Sequence, residues 1–277
     1  MDWHKFILVI CIASLSLSLS ASTPVNSVSA PDKSLNCNIS ESGQIFQNAQ
    51  SITVKVLSTE FLGSGIILWK KSAVYTVLTN AHVLQAGDRP YRIQTPDGNI
   101  YAANVSQNLN FGENDLALLQ FQSPSTIYAV ASLASSPKQG NEVFVAGFPA
   151  TEEGFQNQSL AFTTGKISLI LPKPLEGGYQ LGYTNDLKKG MSGGPLLNCQ
   201  GKVVGVNGMQ AYPLWDAPSV FQDGSKADEQ LHQMIIRLSW AVPMEKLVQM
   251  TPKSIKTKDS PVLNKADKSD GRGSLND

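Results

Sequence analysis

Apolar and polar positions along this chain change over short distances, with the period of strands more often than that of helices. Residues 51–58 (SITVKVLS) alternate, as a half-buried strand does. Segments 61–69 and 75–83 follow as apolar runs, the second ending in polar residues. Segments 91–95 and 100–105 flank Pro96-Asp97-Gly98-Asn99, which predicts a hairpin. Residues 116–121 (LALLQF), 142–148, 159–164, 166–171, 179–183, 195–197 and 202–207 complete the predicted strands. Short strands at this spacing belong to sandwiches or barrels. Parallel βαβ units would need helical patterns of ten residues or more between strands, and none is visible. Helix is predicted only late, over 227–238 and 244–250, with Pro243 at the entry of the second. A boundary near 122–130 divides the core into comparable halves.

The two ends have different patterns. In residues 1–22, Lys5 is followed by a 14-residue apolar and Ser run (6–19) and then by Ser20-Ala21-Ser22. The run is shorter than the roughly 20 residues of a membrane span. It predicts a signal peptide cleaved near Ala21 or Ser22, hence export to a periplasm or the extracellular space and no stable membrane span. Cys11 follows the bulky Ile10, which argues against a lipoprotein cysteine. Residues 251–277 carry six Lys/Arg and four Asp, with Ile255, Val262, Leu263 and Leu275 as their large apolar side chains. Such a segment buries too little to offset its ordering entropy and is expected to be a disordered tail.

Composition narrows the functional classes. The chain has 277 residues, 42% apolar and 16% charged, with 22 Lys+Arg balanced by 22 Asp+Glu. A net charge of 0 argues against a nucleic-acid binder, which needs a basic excess. After loss of the leader, Cys37 and Cys199 remain. In an oxidising compartment two cysteines suffice for one disulfide, the alternative being two buried thiols. The absence of a CxxC or His/Cys cluster predicts no structural metal site, and no cofactor is expected.

Three stretches carry candidate chemistry. Thr79-Asn80-Ala81-His82-Val83 ends a predicted strand, Asn114-Asp115 precedes the apolar 116–121, and Gly190-Met191-Ser192-Gly193-Gly194-Pro195 sets a serine among glycines. Each alone has an ordinary structural reading, but together they supply what acyl transfer needs. A serine hydroxyl is a poor nucleophile until a base takes its proton. An imidazole is suited to that role, and a buried carboxylate fixes its tautomer. Glycines beside the serine let two backbone N–H groups face a developing oxyanion.

TNAHV, NDLALL and GMSGGPL resemble the His, Asp and Ser blocks of the trypsin/chymotrypsin-like serine proteases, in that family's order. FLGSG (61–65), VAGFP (145–149), TTGKIS (163–168) and VVGVNG (203–208) extend the likeness over roughly 45–248. The compact spacing resembles bacterial members of the HtrA-like or glutamyl-endopeptidase-like type. The resemblance implies an all-β fold of two six-stranded antiparallel barrels, residues 45–122 and 123–250, with a short C-terminal helix and a preceding N-terminal segment, 23–44. It implies Ser192 as nucleophile, His82 as general base and acid, Asp115 as its orienter, and the N–H groups of Gly190 and Ser192 as the oxyanion hole.

Departures from the family pattern are informative. Met191 stands where the digestive members carry an Asp that binds a newly formed N-terminal amine, so activation of that kind is not expected. The 27 residues after Met250 are expected to hold no PDZ module of the HtrA type. Asp186, six residues before Ser192, takes the trypsin offset for a specificity-pocket carboxylate. It implies cleavage after Arg or Lys, unless it is a solvated turn residue paired to Lys188 or Lys189. Asn207 stands about where glutamyl endopeptidases place a His, which leaves a preference for acidic residues without support. Trp215, in the loop 211–224, either walls the cleft or packs on the barrel, and His232 is read as structural.

The expected function is therefore an exported serine endopeptidase acting on peptide or protein substrates, as a monomer. Two alternatives are a catalytically silent binding protein on the same fold and a hydrolase of esters or cell-wall amides using the same triad.

Overall fold

The computed structural model describes residues 37, 39–106, 109–150, 159–213 and 219–250. The expected signal peptide (1–22), the tail (251–277), Trp215 and most of the segment 23–38 lie outside the described residues.

The first element among the described residues is helix α1 (Ile39–Ile52). The first six strands are β1 (Thr53–Leu57), β2 (Phe61–Lys71), β3 (Val74–Thr79), β4 (Tyr91–Gln94), β5 (Ile100–Val105) and β6 (Ala117–Gln122), with helix α2 (Ala81–Gln85) between β3 and β4. The second six are β7 (Glu142–Gly147), β8 (Ala161–Ile170), β9 (Leu181–Tyr183), β10 (Pro195–Leu197), β11 (Val203–Met209) and β12 (Ser239–Pro243). Helix α3 (Glu229–Ile235) precedes β12 and α4 (Met244–Met250) follows it. Each set of six closes into an antiparallel barrel, in the orders β1-β2-β3-β6-β5-β4 and β10-β11-β12-β9-β8-β7. The expected fold of two six-stranded barrels with a short C-terminal helix is the one observed. Among the described residues no helix is long and apolar enough to cross a membrane.

The strands follow from side-chain alternation. In β4, Tyr91 and Ile93 point inward while Arg92 and Gln94 are half exposed. The predicted hairpin forms: Tyr91 pairs with Ala103, and Gly98, at φ +86°, donates to the Thr95 carbonyl. Val54, Ile67, Val77 and Leu119 fill the first barrel, and Val145, Ile167, Leu181 and Leu196 fill the second. A third cluster draws Ile66 and Leu78 from the first barrel and Phe144, Val206 and Trp240 from the second. Each such side chain contributes about 1.5–3 kcal/mol by leaving water. This shared cluster packs the two barrels against each other and so fixes the cleft between them.

The structure corrects four local expectations. Residues 51–52 close α1 instead of opening a strand. Polar residues obscure this helix, but Ile45, Ala49 and Ile52 recur at helical spacing and are all buried. Its Phe46 meets Phe162 edge-on at 5.4 Å and its Asn48 donates to the Gly201 carbonyl at 2.6 Å, so α1 leans on the second barrel. The predicted strands 159–164 and 166–171 are one strand, β8; Gly165 is not a break but the point where Asn185 presses on the strand. Strand β12 went unread because it is fully buried, lacks alternation and lies between two helices. Finally, β3 ends at Thr79, and His82 lies in the first turn of α2.

Candidate active site

Both side chains from the first barrel converge at one point. Asn80 caps α2 in extended conformation, which turns the chain so that the following residues face β6. Its Nδ2 donates to the Asp115 carbonyl at 2.7 Å. His82 N–H donates to Asp115 Oδ1 at 2.9 Å, and His82 Nδ1 lies 2.6 Å from Asp115 Oδ2. The imidazole remains 44% exposed while the carboxylate is only 14% exposed, so the ring has one held edge and one open edge.

Asp115 has a further donor that the sequence reading missed. Tyr179, just before β9, donates its hydroxyl to Asp115 Oδ2. Burial alone pushes the Asp115 carboxyl up, but the hydrogen bond and charge of His82, the Tyr179 hydroxyl and the His82 N–H outweigh it and hold the group below the usual carboxylate range. Burial and the Asp115 charge push the Tyr179 phenol well above its ordinary value. It is therefore a donor at any working pH. The signal in the sequence was the pair Gly177-Gly178 before this tyrosine, which marks a close approach of backbone.

Ser192 comes from the second barrel, on the loop between β9 and β10. Gly193 is at φ +85°, and a Cβ there would run into the Ser64 carbonyl and the Thr79 hydroxyl, so the loop passes between the barrels only with glycine. Asn207 clamps the loop: its carbonyl accepts the Gly193 N–H at 2.8 Å and its N–H donates to the Gly194 carbonyl at 3.0 Å. Its side chain, fully buried, is satisfied by the Tyr183 hydroxyl and the Pro195 carbonyl. Met191 is fully buried in the second barrel's core.

The loop also sets the direction of one backbone donor. The Lys189 carbonyl accepts the Ala150 N–H at 2.7 Å. Because a trans peptide aims its C=O and N–H oppositely, the Gly190 N–H points away from that contact. The carbonyl of Gly190, at φ +90°, accepts the Ser64 hydroxyl at 2.8 Å. Ser64, from the GSG element of β2, also accepts the Phe148 N–H at 2.8 Å and so fixes this turn from the first barrel. Among the described residues, the N–H groups of Gly190 and Ser192 have no hydrogen-bond acceptor.

Contacts close the circle between the barrels. Gly63 lies against both Val83, next to His82, and the Ser192 carbonyl, which accepts the Ser64 N–H at 2.9 Å. Gly208 lies against the Tyr179 hydroxyl, and its carbonyl is 3.3 Å from Ser192 Oγ. In this conformation Ser192 Oγ bonds to Gly208 and not to His82. A groove of about 450 Å³, lined by Glu60, Leu62, Asp88, Ala150, Lys189 and Gly190, opens beside the loop.

Other candidates lie apart. The Asp186 side chain is 74% exposed, with Lys188 Nζ 3.8 Å away. His232 sits on α3, on the far side of the sequence from these contacts. Cys37 and Cys199 form a disulfide with Cα atoms 5.3 Å apart. Glu142 joins them in a cluster of metal-ligating residue types, but both sulfurs are in the bond and Glu142 already accepts the Cys37 N–H at 2.7 Å.

Comparison with known proteins places the chain in a family and a fold. The family model described as "Trypsin-like peptidase domain" matches residues 63–206, which include His82, Asp115 and Ser192. The periplasmic pH-dependent serine endoprotease DegQ of Escherichia coli (strain K12) is 33% identical over 150 residues, covering 53% of this chain and 31% of that protein. The serine protease Do-like HtrA of Bacillus subtilis (strain 168) is 28% identical over 155 residues, covering 53% and 33%. The chain thus spans about a third of the length of these curated relatives. Among solved structures, Deg5 superposes with a TM-score of 0.53 at 21% identity, covering 76% of this chain and 91% of that one. The serine endoprotease from Yersinia pestis gives 0.51 at 21% identity, covering 75% and 64%.

Proposed function

The chain belongs to the trypsin-like peptidase family, and from that premise we propose that it is an exported serine endopeptidase working through Ser192, His82 and Asp115. The observation that carries this reading is the His82–Asp115 pair, one buried ionised carboxylate beneath one open imidazole, across the cleft from Ser192. In the proposed reaction Ser192 Oγ rotates from the Gly208 carbonyl to His82 Nε2 and attacks a peptide carbonyl as its proton passes to the ring. Asp115 holds the tautomer with Nδ1–H toward Oδ2 and stabilises the imidazolium. The N–H groups of Gly190 and Ser192 receive the oxyanion, each worth about 3–4 kcal/mol in such sites. His82 then protonates the leaving amine, and water, activated by the same ring, releases the acyl group.

Three contacts support self-sufficiency of the loop. Buried Met191 packs in the apolar core, so the loop is held by Ser64, Asn207 and that packing, with no need of an N-terminal amine. The disulfide and the periplasmic relative support export. Cleavage after Arg or Lys draws no support from Asp186, whose carboxylate is largely in water and beside Lys188.

A silent binding protein on the same fold is the second reading, favoured by the Ser192 Oγ–Gly208 contact. Incubating the chain with a diverse peptide library and a fluorophosphonate probe, beside Ser192→Ala, separates the two. Cleavage and labelling that vanish in the variant support the protease; a folded chain that neither cleaves nor labels overturns it.

A further inference from the structure

We infer that Tyr179 is a positioning residue that locks the Asp115 carboxylate onto His82, so that the second barrel supplies a part of the first barrel's acid–base pair; the inference rests on the protease reading above. Three donors reach Asp115: His82 N–H on Oδ1, and His82 Nδ1 with the Tyr179 hydroxyl on Oδ2. A carboxylate held on both oxygens cannot turn about its χ2 bond, and the imidazole plane follows it.

The surroundings are built for this contact. Tyr179 is 5% exposed, and its hydroxyl has Asp115 as its hydrogen-bond acceptor. A buried hydroxyl without an acceptor is costly, so the ring stays where the carboxylate is. The turn that delivers it is tied to the same residue, because the Gly177 carbonyl accepts the Asp115 N–H at 2.8 Å. Gly178, at φ +83°, leaves room for the Asn114 side chain, which a Cβ would strike. On the other flank, a Cβ on Gly208 would occupy the place of the Tyr179 hydroxyl. Backbone from β11, the turn 175–178 and the end of α2 thus enclose one oxygen–oxygen contact. The titratable groups facing Asp115 are His82 from α2 and Tyr179 itself, with Tyr183 of β9 facing Tyr179.

The role differs from packing in what it does to the proton on His82. Tyr179 shares the charge of Oδ2. Without it, the His82 Nδ1–H bond is the single side-chain contact on that oxygen, and it shortens while the carboxylate gains freedom to tilt. The test is Tyr179→Phe in the full chain. The expected result is a kcat about 10- to 100-fold lower, the worth of one hydrogen bond to a charged group, with KM changed less than about twofold. The acidic limb of the kcat/KM profile moves to higher pH, and the downfield proton resonance of His82 Nδ1–H moves further downfield. Unchanged kcat, pH limb and resonance, or a loss only of thermal stability, would overturn the inference.

A second measurement needs no variant. In the unsubstituted protein the Tyr179 hydroxyl proton is expected as a slowly exchanging signal with a nuclear Overhauser contact to His82 Nδ1–H. A rapidly exchanging hydroxyl with no such contact overturns the inference even if Tyr179→Phe fails to fold. Neither resonance depends on turnover. An inert chain that keeps both signals overturns the protease reading and not the contact.

Discussion

The first barrel holds its part of the site by hydrogen bonds between the two side chains, and the second presents a clamped loop whose serine hydroxyl has one weak contact. His82 and Asp115 are joined by two hydrogen bonds of 2.6 and 2.9 Å, and Asn80 and Tyr179 brace the same carboxylate residue. Ser192 sits between positive-φ glycines, its hydroxyl on a 3.3 Å contact that one torsion breaks. The difference follows from chemistry. In the proposed mechanism the orienting carboxylate works by not moving, whereas the nucleophile changes partners within each turnover. The backbone around the serine is fixed, since Ser64 and Asn207 pin the loop on either side of it.

The comparison breaks most sharply at the nucleophile. Ser192→Ala should lower kcat by about 10⁶-fold with little loss of stability, read by peptide hydrolysis beside thermal melting. On the rigid side, Asp115→Asn should cost about 10⁴-fold in kcat by favouring the wrong tautomer. If the Asp115 variant were as active as the parent, the rigid pair would have no catalytic role.

Smaller effects sharpen the picture. Replacing Cys37 and Cys199 by Ser removes a tie across 162 residues of sequence, with an expected loss of about 2–4 kcal/mol in chemical denaturation and an unchanged kcat on the folded fraction. The pH dependence of stability should single out Asp115. Its folded-state value lies below the unfolded one, so its contribution is full above about pH 4 and is lost as pH falls through the folded value. The melting-temperature gap between the parent and Asp115→Asn should therefore shrink below about pH 4. The least change is expected from Asp186→Asn, which should alter the cleavage profile less than about twofold, as befits a screened surface charge; a collapse of cleavage after Arg or Lys would return that carboxylate to the specificity pocket.

Much of this molecule was legible along the chain, and the gaps have identifiable causes. Strands such as β4 and β6 declared themselves by alternation or by unbroken apolar runs. Strand β12 did not, because its short run, bounded by Ser239 and Pro243, lies between two segments read as helix. Helix α1 kept its helical spacing beneath a polar composition, and its place was decided by Phe162 and Gly201, more than a hundred residues away. His82, Asp115 and Ser192 stood out because TNAHV, NDLALL and GMSGGPL occur together and in the order of a known family. Tyr179 was marked only by the Gly177-Gly178 pair before it, and a tyrosine near a strand is ordinary until its acceptor is known.

By itself, then, the sequence determined a sandwich-or-barrel class, because local periodicity acts over a few neighbours and is written there directly, while the two-barrel fold and the candidates His82, Asp115 and Ser192 came from the likeness of three short blocks to a known family. Only the tertiary structure decided that Asp115 is braced from the opposite barrel, that Ser64 sets the loop before Ser192, and that Asp186 faces water. Those outcomes depend on which backbones approach across the cleft, and that is settled by packing of Ile66, Phe144, Val206 and Trp240 in a shared core, where no local pattern reaches.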